Sequence, residues 1–294
     1  MARSENRLDI RIHEDPDLFR EAVNFTSADT MFMPRLIEKD YFCTMLLRYL
    51  AASDNALVFK GGTCLAKIHA GFYRLSEDLD FMFPMPVDAS RSSRSAKATK
   101  LKQAVADLHQ KLNVFQVVGP LTGANNSTQY VATVSYTSLL GQQEETIKIE
   151  IGLREPLLTP VFDGPAQTIL LNPVSGKPMV HALRVSSISR HEAMAEKLRA
   201  ALSRREPAIR DFYDVDYAVR RLGLHLADAT LITLVRQKLA VPGNEQVDIS
   251  DVRLAVLRQQ LDSRLKPVLR SKDFAEFDLD RAFGMVVDVS GMVG

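Results

Sequence analysis

Residues 59–83 read FKGGTCLAKIHAGFYRLSEDLDFMF, and the rest of the chain is best read outward from this stretch. Ala56 to Lys60 is a short apolar run closed by Gly61 and Gly62, the pattern of a strand running into a turn. Thr63 suits the N-cap of a short helix, CLAKIHA, which Gly71 ends. Glu77 to Phe83 alternates acidic and apolar residues until Pro84 stops it, so it reads as a second strand. Residues two apart on a strand point the same way, which sends Asp78 and Asp80 to one face and Leu79, Phe81 and Phe83 into the core. Two carboxylates held side by side repel each other unless a cation lies between them. Mg2+ prefers oxygen ligands and pairs carboxylates with phosphates. Taken alone, acids at this spacing are more often the outward positions of an exposed edge strand. The glycine turn shifts the balance, because glycines let backbone amides approach a phosphate closely and Thr63 adds a hydroxyl.

On either side of this unit the chain alternates helical and strand signals. Leu36 to Leu50 spaces Leu36, Phe42, Leu46, Leu47 and Leu50 along one side of a helix. A long helix is expected from about Ala96 to Leu112. Thr128 to Leu139 and Glu144 to Leu153 read as antiparallel strands joined near Gly141. In TIKIEI, Thr146, Lys148 and Glu150 share a face opposite Ile147, Ile149 and Ile151. Glu150 sits deepest in this apolar run and is a candidate site acid, with an exposed cross-strand partner of a basic residue as its rival reading. Residues 157–185 carry Pro and Gly at short intervals and suit short strands and loops. From Ser186 the texture turns helical: HEAMAEKLRAALSRR sets Arg190, Lys197 and Arg204 seven apart, within one sector. RDFYDVDYAVRRLG places Asp211 and Asp214 on one helical face, where they could pair with Lys197 and Arg199 and lock two helices together. His69 is tempting as a base, but a lone histidine at a helix end is more often structural.

Composition sets the outer bounds. The 294 residues suffice for two ordinary domains, and 46% hydrophobic with 25% charged residues is a globular balance. Two cysteines, Cys43 and Cys64, without a CxxC pair argue against a disulfide framework or a cysteine zinc site. No apolar run approaches the roughly 20 residues needed to cross a bilayer, and the charged N-terminus is unlike a signal peptide. A cytoplasmic protein is expected. The net charge of +1 means that any nucleic-acid binding must come from local clusters. The fold class is α/β (α+β): a mixed-sheet half over residues 1–185, with N-terminal helices, and a helical half over residues 186–294.

The order strand, GGT, short helix, Ser76, acidic strand resembles the polymerase-beta-like nucleotidyltransferase superfamily. Joined to EKDYFCTMLLRYL, IKIEIGLRE and AEKLRAALSRREPAIRDFYD, it is similar to the AbiEii/AbiGii nucleotidyltransferase toxins and the related MenT-type toxins, over residues of about 36 to 217. The resemblance implies a polymerase-beta-like core with a mixed sheet and a helical C-terminal domain. It also implies transfer of a nucleoside monophosphate from a nucleoside triphosphate to an acceptor hydroxyl, with Mg2+ as cofactor and Mn2+ able to replace it. Asp78 and Asp80 would hold the metal, with Glu150 completing the cradle. Lys60, Gly61, Gly62, Thr63, Ser76 and Lys197 would bind the nucleotide. Lys197 would also neutralise developing charge, and Asp211 matches the acid of RDxYD. The family's toxins are encoded beside an antitoxin, and RNA, transfer RNA above all, is the acceptor the resemblance suggests. A protein or small-molecule acceptor, or a catalytically silent nucleotide- or RNA-binding module, are the competing readings.

Overall fold

The computed structural model describes residues 10–294. Helix α1 (Pro16–Thr30) begins on Pro16 behind Asp15, whose side chain accepts from the Leu18 amide at 3.1 Å. Helix α2 (Pro34–Ser53) is buried continuously from Leu36 to Leu47, so the one-sided apolar stripe expected from the sequence understates it. Its buried charged residues, Glu38, Lys39 and Asp40, have partners. Asp40 meets Lys67 Nζ at 2.6 Å, and Glu38 accepts from the Ser138 hydroxyl at 2.7 Å.

Strand β1 (Val58–Lys60) runs into a single helical turn, α3 (Gly61–Cys64), continued by a π-helical turn at Leu65–His69. Strand β2 is Leu79–Met82. The turn begins at Gly61 rather than after Thr63, so Thr63 is inside it and caps nothing. The helix expected over 96–112 is divided into α4 (Arg91–Lys97), α5 (Thr99–Ala106) and α6 (Leu108–Lys111). At the joints, Ala98 and Asp107, ψ opens to −6° and −1°, away from the helical value near −42°.

Strands β3 (Gln116–Ala124), β4 (Gln129–Thr137), β5 (Glu144–Gly152), β6 (Phe162–Ala166) and β7 (Leu183–Ser187) complete one mixed sheet in the order β3-β4-β5-β2-β1-β7-β6. Strand β3 was not expected from sequence. Gly119, Pro120 and Gly123 disguise it, and an edge position with register shifts tolerates them. The central pairings set the site: β1 lies antiparallel to β2, and β2 parallel to β5.

Six helices follow: α7 (Arg190–Ser203), α8 (Ile209–Leu222), α9 (Ala229–Leu239), α10 (Asp251–Gln259), α11 (Ser271–Glu276) and α12 (Leu279–Val293). Helix α7 is capped by Ser189, which accepts from the Glu192 amide, and α8 ends at Gly223 with φ +66°. Two apolar clusters result. One joins α1, α2 and the sheet. The other joins the C-terminal helices to Val58, Leu65, Ala66, Tyr73 and Met82, which fixes α7 and α8 against the β1–β2 segment. Among the described residues no helix is long and apolar enough to cross a membrane.

Candidate active site

Strand register builds the centre of the site. Lys60 pairs with Asp80, and Asp80 with Glu150, so a cation and two acids stand in a row across three adjacent strands. Asp78 sits one residue before β2, and its carbonyl oxygen accepts from the buried Thr63 hydroxyl. Asp80 is packed against the glycine turn. A Cβ on Gly61 would lie 2.1 Å from Asp80 Oδ2, and Gly61 has φ +76°. Only glycine satisfies both conditions. A Cβ on Gly62 would meet Arg74 Nη2 at 2.6 Å and Ser76 Oγ at 3.2 Å.

The electrostatics of Asp80 follow from this crowding. Burial first, then the charges of Glu150 and Asp78, push its carboxyl up to about 6 against the opposing pull of Lys60. Glu150 meets Lys148 Nζ at 2.7 Å, two residues back on the same face. That contact and the charges of Asp78 and Asp80 hold the Lys148 amine above its ordinary range.

A second network lies under the turn. Arg74 is buried and grips Asp214 through Nε at 2.5 Å and Nη2 at 2.8 Å, and the Tyr73 hydroxyl donates to the same carboxylate. Lys197 bridges Asp211 and Asp214 at 2.9 Å each, and Arg204 reaches Asp211 at 3.3 Å. Burial works against the charge of Asp214, yet Arg74 and Lys197 hold it well below the usual carboxylate range. A third network starts at Lys60, which meets Glu196 at 2.9 Å. Glu196 shares the buried Lys238 with Glu155 and Glu192, at 3.3, 3.3 and 2.8 Å respectively. Burial opposes ionisation of Glu196, but Lys60 and Lys238 bring its carboxyl down to about 2.

Together these elements enclose a cleft of about 350 Å³, within the range of small-molecule sites. Of the residues singled out from sequence, Lys60, Gly61, Gly62, Asp80, Glu150, Lys197 and Asp211 line it. Thr63, Ser76 and Asp78 are not among the lining residues, so of the two expected metal carboxylates only Asp80 lines the cleft. The expected basic row is only partly realised. Lys197 and Arg204 face the cleft, whereas Arg190 is exposed beside a separate small cavity. Arg199 pairs with neither Asp211 nor Asp214; Lys197 alone serves both. His69 Nε2 donates to the Ile188 backbone oxygen, 2.9 Å away, and stands outside the cleft lining.

Reasoning from sequence missed Arg74, Glu196, Lys238, Arg154 and the hairpin residues Asn125, Thr128 and Gln129. A usable signal for Glu196 is its spacing of four from Glu192 among alanines and leucines, which puts two acids on a helix side otherwise suited to burial.

The donor set bears on the expected metal. Among the described residues no three His, Cys, Asp or Glu side chains converge tightly enough to hold an ion. Asp78 and Asp80 nevertheless suit Mg2+, which binds through one or two carboxylates and takes its remaining ligands from phosphates and water. The crowding of Asp80 is the condition that a cation relieves.

A small-molecule-sized cleft with an acid row beside a glycine turn, set on this mixed sheet, fits enzymes that transfer nucleotidyl groups. Residues 45–288 match the family model of the nucleotidyl transferase AbiEii toxin, type IV toxin–antitoxin system, so the chain belongs to that family and is a nucleotidyltransferase. JHP933 from Helicobacter pylori shares the fold, with a TM-score of 0.52 at 16% identity over 89% of this chain and 93% of that one. MenT4, a nucleotidyltransferase toxin from Mycobacterium tuberculosis, aligns over 99% of both chains at 18% identity with a TM-score of 0.46. No curated protein matches the sequence.

Proposed function

We propose that the protein is a Mg2+-dependent toxin that transfers a nucleoside monophosphate from a nucleoside triphosphate to the terminal hydroxyl of an RNA, transfer RNA first among candidates, in the cytoplasm. The observation that carries this reading is the row Lys60–Asp80–Glu150 across three strands, with Asp80 packed on Gly61. Residues 1–185 supply this catalytic row, and residues 186–294 supply Lys197 and Asp211.

Asp78 and Asp80 are the residues that would hold the metal. When bound, Mg2+ supplies positive charge to the phosphate oxygens and aligns the reacting groups. The backbone amides of Gly61 and Gly62 receive the terminal phosphates, with Lys60 beside them as a counter-charge. Thr63 braces the site from behind, since its hydroxyl fixes the backbone of Asp78. Ser76, against Gly62, keeps the turn tight. Glu150 orients the acceptor hydroxyl and takes its proton once the carboxylate lets go of Lys148. Lys197 presents a positive charge set in place by Asp211 and Asp214, and positioning with electrostatics provides most of the acceleration in such reactions.

The type IV family description suggests a cognate antitoxin as a partner. The test is incubation with each labelled nucleoside triphosphate, Mg2+ and total RNA. Label on RNA with release of pyrophosphate is expected. Label on protein, or nucleotide binding without pyrophosphate release, overturns the RNA reading.

A further inference from the structure

The basic residues of the cleft fall into two groups. Lys60 and Lys197 are each neutralised by a carboxylate within 3 Å. Arg154 and Arg199 are not. Arg199 makes no hydrogen bond or ion pair among the described residues, although its Nε is fully buried. Arg154 makes no hydrogen bond among them, and its ion pair to Glu155 is long, at 3.8 Å. That glutamate is already engaged by Lys238 at 3.3 Å. Both arginines line the cleft, and they stand close enough that the charge of Arg199, after burial itself, holds the Arg154 guanidinium below its ordinary range. Glu196 and Glu155 act on this pair through charge but accept no hydrogen bond from it, so donors of two like charges in a half-buried wall are left for an anion to satisfy.

Their place along the sheet identifies which anion. Glu150, Gly152 and Arg154 alternate with the buried Ile151 and Leu153, so all three face the cleft. Gly152 leaves the floor clear between acid and arginine, since a Cβ there would find nothing closer than the Phe81 carbonyl at 3.9 Å. Arg154 thus lies just past the C-terminal end of β5, beyond Gly152 from Glu150. The glycine turn lies the other way. Gly61 follows Lys60, the partner of Asp80, on a strand antiparallel to β2, whereas Gly152 pairs with Met82, beyond Asp80. Phosphoryl transfer places attacking and leaving oxygens roughly in line on opposite sides of the phosphorus. With pyrophosphate departing at the glycine turn, the acceptor enters from the Arg154 side.

We propose that Arg154 and Arg199 form a phosphate subsite for the acceptor strand, gripping a backbone phosphodiester close to the hydroxyl that is to be modified. The inference rests on the RNA reading above and assigns that substrate its anchoring residues. Arg204 joins this wall to the outer face lined by Arg205 and Arg210, so the strand has a basic exit. Arg220 and Arg221 take no part, because Asp216 and Glu276 neutralise them.

The test compares the wild type with Arg154→Gln, Arg199→Gln, the double variant and the charge-keeping Arg154→Lys and Arg199→Lys. Each is assayed for transfer from a labelled nucleoside triphosphate to deacylated transfer RNA, with KM determined separately for nucleotide and acceptor. The acceptor KM should rise about ten-fold per glutamine, and nucleotide KM should change less than two-fold. The lysine variants should recover part of the loss. The double variant should flatten the dependence of log affinity on log salt by about 1.4, the loss of two phosphate contacts to a single strand. A raised nucleotide KM with an unchanged acceptor KM would instead make the pair triphosphate ligands and sink the proposal, while leaving RNA as the acceptor. No change in either constant overturns it as well. A wild-type enzyme that never labels RNA removes the RNA reading, and this subsite with it.

Discussion

At Asp80 the fold works against ionisation, and that tension is the residue-scale signature of the site. A rise from 3.8 to about 6 corresponds to roughly 3 kcal/mol against the charged form. Asp80→Asn should therefore raise the metal-free melting temperature at pH 7, while abolishing the further rise that Mg2+ gives the wild type. A thermal-shift series with and without Mg2+ checks this, and a variant less stable than wild type without metal contradicts it. Glu196 has the opposite sign. Its carboxyl is lowered from 4.5 to about 2, so its stabilisation is complete above 4.5 and is lost as pH falls toward 2. Glu196→Gln should destabilise the fold at pH 7, with the gap to wild type closing below pH 4 in urea titrations. The repulsion of Asp80 by Asp78 was legible from their spacing, but the burial of Asp80, the arrival of Glu150 from a strand seventy residues away and the pairing of Glu196 were not.

At the scale of elements, the glycine turn and the α7–α8 pair decide where the charges point. Gly61→Ala would set a methyl group against Asp80 and strain a φ of +76°. We expect transfer to fall at least a hundred-fold, with about 1–3 kcal/mol lost in unfolding experiments. Lys197→Met would leave Asp211 and Asp214 buried with one cation fewer between them, and about 3–5 kcal/mol should be lost, measurable by chemical denaturation. Alternation made β2, β4 and β5 readable from sequence, and β1 was readable as a short apolar run closed by two glycines. The same rule failed on β3, where Gly119, Pro120 and Gly123 sit on an edge that needs no regular ladder. Helix-start signals gave Thr63 a cap to make, whereas the turn starts at Gly61, three residues before the expected Cys64. Arg74 carried no signal at all, since nothing local tells a buried arginine from a solvated one.

Over the whole molecule, the C-terminal helices share an apolar cluster with Val58, Leu65 and Met82, so the walls of the cleft are bound to the strands that carry its floor. Ion-pair networks repeat the connection through Arg74 to Asp214 and Lys60 to Glu196. Periodicity indicated a helical half, but could not tell which of its charges turn inward; that depends on pairs such as Glu155 and Lys238, far apart in sequence. The most direct test of the account follows label from an α-labelled nucleoside triphosphate into transfer RNA by the wild type and by Asp78→Ala/Asp80→Ala. The account predicts Mg2+-dependent labelling that EDTA abolishes, and a loss of at least a thousand-fold in a double variant that still folds. Undiminished labelling by that folded variant would contradict it.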